Sequence, residues 1–182
     1  LYFPLGQHIG APLTPTVKVG DTVLRMQKIA DTKSYMSAPL HASVSGRVKD
    51  IGLYLNHTNT KVPTIVIEND GQDTPAEPLT NKNPDNMSPE EMRRIIREAG
   101  IVGMGGAGFP THVKLSPPPD KKITHLIVNG AECEPYLTSD RRVMLEMPDD
   151  VMGGLKYLMR LLDLNECFIG IEDNAKDAIA KM

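Results

Sequence analysis

Between Gly100 and Lys114 the chain reads GIVGMGGAGFPTHVK, and five glycines in fifteen residues leave no room there for the interior of a helix or a strand. Glycine loses more backbone entropy on folding than any other residue. Such density fits a backbone that turns sharply or lies against a bound group. Successive amides in such a loop can turn their N–H groups into one concavity, to which the Lys114 ammonium would add a full positive charge. The pattern is that of a phosphate cradle, with a loop built only for tight packing as its alternative. Gly103, Gly105 and Gly108 meet the G-x-G-x-x-G spacing of dinucleotide-binding folds, but that fingerprint needs a strand before it and a helix after it. Here a helix precedes and Pro110 follows. Lys114 lies six residues past Gly108, which fails the Walker A spacing.

The texture on either side of the loop differs. From Leu13 to Ile67 short β-like runs (Val17–Val19, Val23–Leu24, Ile29, Val44–Ile51, Pro63–Ile67) alternate with turn residues such as Gly20-Asp21, which predicts a small all-β unit of hairpins. Asn69 to Met87 is rich in Asp, Asn and Pro and reads as a linker. Ser88-Pro89-Glu90-Glu91 then supplies an N-cap, a first-turn proline and a capping-box glutamate. Met92, Ile95, Ile96 and Ala99 form one apolar stripe, and Gly100 is placed to end that helix. Downstream, His125–Val128 reads as a strand, Val151–Leu162 as an amphipathic helix, Cys167–Ile171 as a second strand and the segment from about Asn174 as another helix. That βαβ rhythm predicts a parallel sheet. The last helix breaks off at Met182 after barely two turns, so the chain is expected to be a fragment. The expected domains are residues 1–72, a linker over 73–87, and 88–182.

Composition excludes several functions. Hydrophobic residues make up 40% of the 182, enough for a core, but tryptophan is absent and ten methionines must fill aliphatic gaps. A net charge of -3 gives no basic footprint for nucleic acid. No apolar run approaches the roughly 18 to 20 residues of a membrane span, so no direct span is expected and this length of chain is expected to be soluble. Cys133 and Cys167 lie far apart, which encodes neither a disulfide framework nor a set of zinc or cluster ligands and fits a reducing, cytoplasmic setting. The five histidines are scattered. No metal site is expected in this segment.

A second constellation, VNGAECEPYLTSDRR (Val128–Arg142), follows a predicted strand at the end where open α/β sheets gather ligands. Two carboxylates, Glu132 and Glu134, cannot sit on a phosphate carrying about -1.5 to -2 charge. They are expected to accept hydrogen bonds from hydroxyl or amide donors while the glycines and Lys114 hold the phosphate. A phosphate at one end and donor-rich groups at the other describe a nucleotide-like cofactor.

These motifs resemble a known family. GMGGAGFPTHVK is similar to the FMN loop of the flavin-bearing subunit of respiratory complex I, and NGAECEP to the acidic loop lining its flavin and NADH pocket. PLGQHIGAP (Pro4–Pro12), VKVGDTV (Val17–Val23) and SAPLHASVSGRV (Ser37–Val48), with IVIENDG and IGIEDN, resemble the RnfC family of Rnf electron-transport complexes across essentially the whole chain. The resemblance implies an all-β plus α/β architecture: an N-terminal barrel-sandwich hybrid of the biotinyl/lipoyl type, then a truncated α/β FMN-binding domain like that of complex I. It implies that Gly103, Gly105, Gly106, Gly108 and Lys114 bind FMN, with Phe109 beside the isoalloxazine or nicotinamide. Asn129, Glu132 and Glu134 match the flavin and NADH loop, and Glu172 a further carboxylate near the flavin. Two departures from the complex I pattern stand out: Met104 replaces an arginine, and Ala131 an acidic residue.

The family further implies NADH oxidation or NAD reduction on FMN, with electrons passed singly to two [4Fe-4S] clusters whose ligands lie outside this segment. The partners implied are NADH and the other Rnf subunits, membrane and ferredoxin-facing. The place implied is the inner face of the bacterial plasma membrane, peripheral, in a complex that couples ferredoxin:NAD oxidoreduction to ion transport. By itself this segment is expected to be inactive. Two rivals remain: a docking module that binds no flavin, and a biotinyl- or lipoyl-type carrier that presents Lys33 on a hairpin.

Overall fold

Phe3, Val23, Ile29, Val48, Ile65 and Ile67 fall in short extended runs that put alternate residues on one face. In the computed structural model of the chain, which describes residues 1–80 and 83–182, all six are buried in one core. Seven strands carry it: β1 (Tyr2–Pro4), β2 (Thr14–Pro15), β3 (Thr22–Val23), β4 (Lys28–Asp31), β5 (Leu40–His41), β6 (Gly46–Leu55) and β7 (Lys61–Asn69). They form an antiparallel four-stranded sheet in the order β1-β7-β6-β3 and a three-stranded sheet in the order β2-β4-β5. Leu13, Val17, Ala30 and Ala42 complete the aliphatic core, which is the barrel-sandwich arrangement expected from the sequence. Val17–Val19, expected as a strand, is a turn instead. The Asp21 carboxylate accepts the Lys18 N–H at 2.8 Å, and the Gly20 N–H donates to the Val48 carbonyl at 2.8 Å, so the backbone bonds of this stretch are made by turn chemistry.

Helix α1 (Pro89–Glu98) starts on its proline with Glu90 and Glu91 in the first turn and carries Arg97 in the last, the charge order that suits the helix dipole. The glycine loop follows, then a single helical turn, α2 (Thr111–Lys114). Two compact units result, one of Leu1–Asn83 with Glu90–Ser116, the other of Pro84–Pro89 with Pro117–Met182. The glycine loop, which the sequence reading places at the head of the 88–182 domain, therefore packs with the β unit. Charge explains much of this: Lys28 bonds Asp31 at 2.9 Å and Glu98 at 2.5 Å, while Arg97 bonds Asp31 at 3.0 Å and Glu98 at 2.7 Å. The four groups tie the end of α1 to β4.

The expected linker over 73–87 is held within its own unit at each end. Arg25 donates its N–H to the Thr74 carbonyl and accepts that of Ala76. The Arg160 guanidinium grips the carbonyls of Pro84 and Met87 at 2.9 and 2.6 Å around a 3₁₀ turn, Pro84–Asn86. Asn81 and Lys82, also in that stretch, lie outside the described residues.

In the second unit β8 (Leu126–Asn129) and β9 (Cys167–Gly170) pair in parallel, as the βαβ rhythm predicts. Between them run α3 (Ser139–Glu146), which the sequence reading leaves inside a loop, and α4 (Pro148–Leu161), which starts three residues earlier than expected because Pro148 opens its first turn. α5 (Lys176–Lys181) closes the segment. Met144, Ala175 and Ala178 form a small core. Ile127 and Phe168, paired in register across the two strands, are 73% and 53% exposed. Among the described residues no helix is long and apolar enough to cross a membrane.

Ile65 is fully buried, whereas Leu53, on the strand paired with it, is largely exposed. Ile65→Ala is expected to cost about 2–5 kcal/mol of unfolding free energy, and Leu53→Ala roughly 0.5 kcal/mol or less. Urea denaturation of the two variants checks the contrast.

Candidate functional site

Two of the five glycines are required by the fold. Gly100 has φ +70°, and a Cβ there would stand 2.4 Å from the Pro39 carbonyl oxygen. Gly108 has φ +65°, and its Cβ would stand 3.0 Å from the Gln7 carbonyl oxygen and from the His8 Cα. Its own carbonyl accepts the Ile9 N–H at 3.3 Å. A two-bond bridge between Val102 and Pro110, with Gly103 N–H to Phe109 O at 2.9 Å and Thr111 N–H to Ile101 O at 3.0 Å, draws the base of the loop together. Between these feet the fold asks for nothing: a Cβ at Gly105 or Gly106 would have no atom within 4 Å. None of the main-chain N–H groups of residues 104–109 has an acceptor among the described residues. Backbone donors are seldom left unpaired without water or a ligand to receive them.

The loop and the β scaffold enclose a cavity of about 350 Å³. Gly103, Met104, Gly106 and Gly108 line one side, and Gln7, His8, Leu13, Pro39 and Leu40 the other. Of the residues the sequence singles out in the loop, Gly105, Phe109 and Lys114 do not line it. Lys114 is exposed at the end of α2, with no partner for its ammonium among the described residues, and Phe109 is 38% exposed.

Two histidines that sequence reasoning left unassigned support this loop. His112, 3% exposed, donates Nε2–H to the Tyr35 carbonyl at 2.9 Å and leaves Nδ1 buried without a partner. Burial holds its pKa below the ordinary value, the bond to Tyr35 opposes this, and the Arg97 charge adds to it. His41 lies against Gly100 and is lowered likewise, first by burial and then by Lys28. In the charged cluster, burial works against ionisation of Asp31 and Glu98, but bonds from Lys28 and Arg97, and for Asp31 also from the Thr32 amide, outweigh it and lower both pKa values. Lys28 is raised: its two carboxylate partners outweigh the desolvation that opposes them.

Lys33 is exposed, but its hairpin is tied down. The Thr32 carbonyl accepts from Arg97 at 2.7 Å, that of Tyr35 from His112, and that of Met36 from the Ala11 N–H at 2.9 Å.

In the second unit Glu132, Glu134 and Glu172 line one cavity of about 370 Å³ with Tyr136 and Asn174. The three predicted carboxylates are thus brought together. Glu132 is partly committed, since Oε1 accepts the Arg141 N–H at 2.9 Å and Oε2 the Ser139 hydroxyl at 3.4 Å, which caps α3. Glu134 and Glu172 are exposed and their carboxylates have no partner among the described residues. Asn129 is not in the cavity lining; its side-chain oxygen accepts the Ala131 N–H at 3.1 Å and so shapes the turn after β8.

Gly108→Ala is expected to destabilise the protein by about 1 kcal/mol or more, and Gly105→Ala to leave thermal stability unchanged or slightly raised. Equal losses of melting temperature would contradict the division of labour between them. Acidification should act in two stages. His41 and His112 take up protons more readily unfolded, so stability begins to fall below about pH 6.5. Asp31 and Glu98 contribute fully above the unfolded carboxylate range, and their share is lost below about pH 4 as pH falls through the depressed folded values. A stability profile flat from about pH 7 to pH 3 would overturn both assignments.

Comparison with known proteins accords with this anatomy. Residues 1–72 match the RnfC barrel sandwich hybrid domain and residues 96–182 the Nuo51 FMN-binding domain. The chain is 52% identical, over its whole length, to the RnfC subunit of the proton-translocating ferredoxin:NAD(+) oxidoreductase complex of Clostridium ljungdahlii, covering 40% of that protein. It is 45% identical over 97% of its length to the counterpart from the Na(+)-translocating complex of Acetobacterium woodii, again covering 40%. To the counterpart from the ion-translocating oxidoreductase complex of Rhodobacter capsulatus it is 44% identical over 98% of its length, covering 35%. The chain thus spans about two fifths of the length of these relatives. With a barrel-sandwich unit, an FMN-binding domain in sequence, and such identity throughout, the chain belongs to the RnfC family of electron-transport proteins.

Proposed function

We propose that this chain is the cofactor-binding part of an RnfC subunit that exchanges electrons between NAD(H), FMN and iron–sulfur clusters within a membrane-associated, ion-translocating ferredoxin:NAD oxidoreductase. The observation that carries the reading is the open run of amides from Met104 to Phe109, with glycines at 105 and 106 that the fold itself does not need. A phosphate laid on that backbone would receive N–H donors where a Cβ would otherwise intrude, and the fit needs no rearrangement of the loop's feet. The unpartnered Lys114 ammonium supplies the countercharge. FMN, when bound, supplies the chemistry of hydride exchange with a nicotinamide and one-electron exchange with clusters.

The protein's part is to bind and orient. Glu134 and Glu172 offer free carboxylate oxygens to hydroxyl or amide donors of the cofactor or of NADH, and Glu132 and Asn129 fix the loop that carries Glu134. No side chain is needed as acid or base, because positioning of the two rings does the work. The [4Fe-4S] clusters belong to other parts of the subunit, and the other Rnf subunits are the partners. A peripheral position on the cytoplasmic face of the plasma membrane follows from membership of such a complex. The carrier alternative is disfavoured by the hairpin of Lys33, whose carbonyls are held by Arg97, His112 and Ala11.

Lys114→Ala is expected to weaken FMN binding by about 1.5–3 kcal/mol and to leave riboflavin, which lacks the phosphate, unaffected. Fluorescence titration of the flavin-stripped full-length protein measures both. Unchanged FMN fluorescence with the unmodified protein would favour a docking module instead.

A further inference from the structure

Everything that lines the cavity between the glycine loop and the β scaffold is apolar or uncharged, and this sets it apart from a phosphate site. Leu13, Pro39, Leu40, Val102 and Met104 give aliphatic or thioether surface, and the polar side chains are only Gln7 and His8. Neither Lys114 nor Gly105 reaches it. A dianion placed there would lose its hydration without gaining a cation, which is costly. A flat heteroaromatic ring would lose little, and Met104 offers it the polarisable sulfur that such rings favour. At about 350 Å³ the space lies at the lower end of ligand cavities, which run roughly 300–1,000 Å³. It suits one ring system, not a whole dinucleotide.

The polar groups are held in a fixed sense. The Ala38 N–H donates to His8 Nε2 at 3.3 Å, so the imidazole carries its proton on Nδ1, which donates to the Ile9 carbonyl at 3.1 Å. The ring is thereby locked from both sides. Gln7 donates Nε2–H to the Pro4 carbonyl at 3.1 Å, which leaves Oε1 as an acceptor at the cavity. An acceptor on the scaffold side and free main-chain N–H groups on the loop side complement a ring edge that carries an imide N–H between two carbonyl oxygens. The isoalloxazine has such an edge.

We propose that this cavity receives the isoalloxazine ring, so that the barrel-sandwich unit, through Gln7 and His8, supplies one wall of the flavin site. The inference rests on the FMN reading above and adds that the phosphate and the ring are held by different faces of the same loop. Gln7 acts as a specificity-determining residue for the ring edge, and His8 as a positioning residue that fixes the wall.

The test uses flavin-stripped full-length protein titrated with FMN and with riboflavin, together with the flavin absorption band and the melting temperature of the apo form. Gln7 is exposed, so Gln7→Trp should fold normally while filling the cavity mouth. It is expected to weaken FMN and riboflavin alike by roughly tenfold or more, an effect the size of one lost contact surface. Gln7→Leu, which removes only the acceptor, should weaken both several-fold and shift the flavin band, with no change in melting temperature. Lys114→Ala serves as the contrast, since it discriminates between the two flavins. If both Gln7 variants bind FMN and riboflavin as the unmodified protein does, while Lys114→Ala loses FMN, the ring lies elsewhere and the cofactor reading survives. If the unmodified protein binds neither flavin, that reading falls and this inference with it.

Discussion

The loop at the centre of this protein stands on two glycines. Gly100 and Gly108 combine a positive φ with a backbone approach that no side chain would allow, one against the Pro39 carbonyl and the other against the Gln7 carbonyl. Because both feet stand on the barrel-sandwich, the stretch between them has a fixed position without being packed. That is the condition for a backbone binding site: amides held in place but not used by the fold. The Lys28–Asp31–Arg97–Glu98 cluster and the buried His112 serve the same end from behind, tying the flanking helices to the strand β4 and the hairpin that follows it.

The scaffold beneath is built with few aromatics. Its core is made of Ile, Val, Leu and Ala from two antiparallel sheets, with Phe3 as its aromatic member. The second unit has a thinner core, and its parallel strand pair keeps Ile127 and Phe168 bare on one face, whereas parallel sheets are ordinarily covered on both. Its acidic cavity is nonetheless formed, because Glu132 caps α3 and so fixes the loop that bears Glu134.

Much of this was legible in the sequence, for identifiable reasons. Alternation and turn residues gave away the β unit, Ser88-Pro89 gave away α1, and the spacing of apolar runs gave away the parallel pair. Glycine density flagged the loop. What the sequence hid was tertiary. The short helix α3 is polar and weakly patterned, and is stabilised by a carboxylate seven residues before its start. Val17–Val19 has strand-like composition, but Asp21 offers its amides better partners in a turn. The partition of glycines into structural and free ones depends on which backbone each meets, and no local pattern records that. Nor could the sequence show that Glu90–Ser116 packs with the β unit, since the ion pairs responsible join residues some seventy positions apart.

The hairpin around Lys33 is held at three carbonyls, by Arg97, by His112 and by the Ala11 amide. In an architecture of this kind a free hairpin would let an attached group travel between distant centres. Here that freedom is gone, and the strut that replaces it also carries the loop. Anything bound there is therefore stationary, and exchange with other centres must be made by small mobile species, a diffusing nucleotide on one side and electrons crossing a set distance on the other.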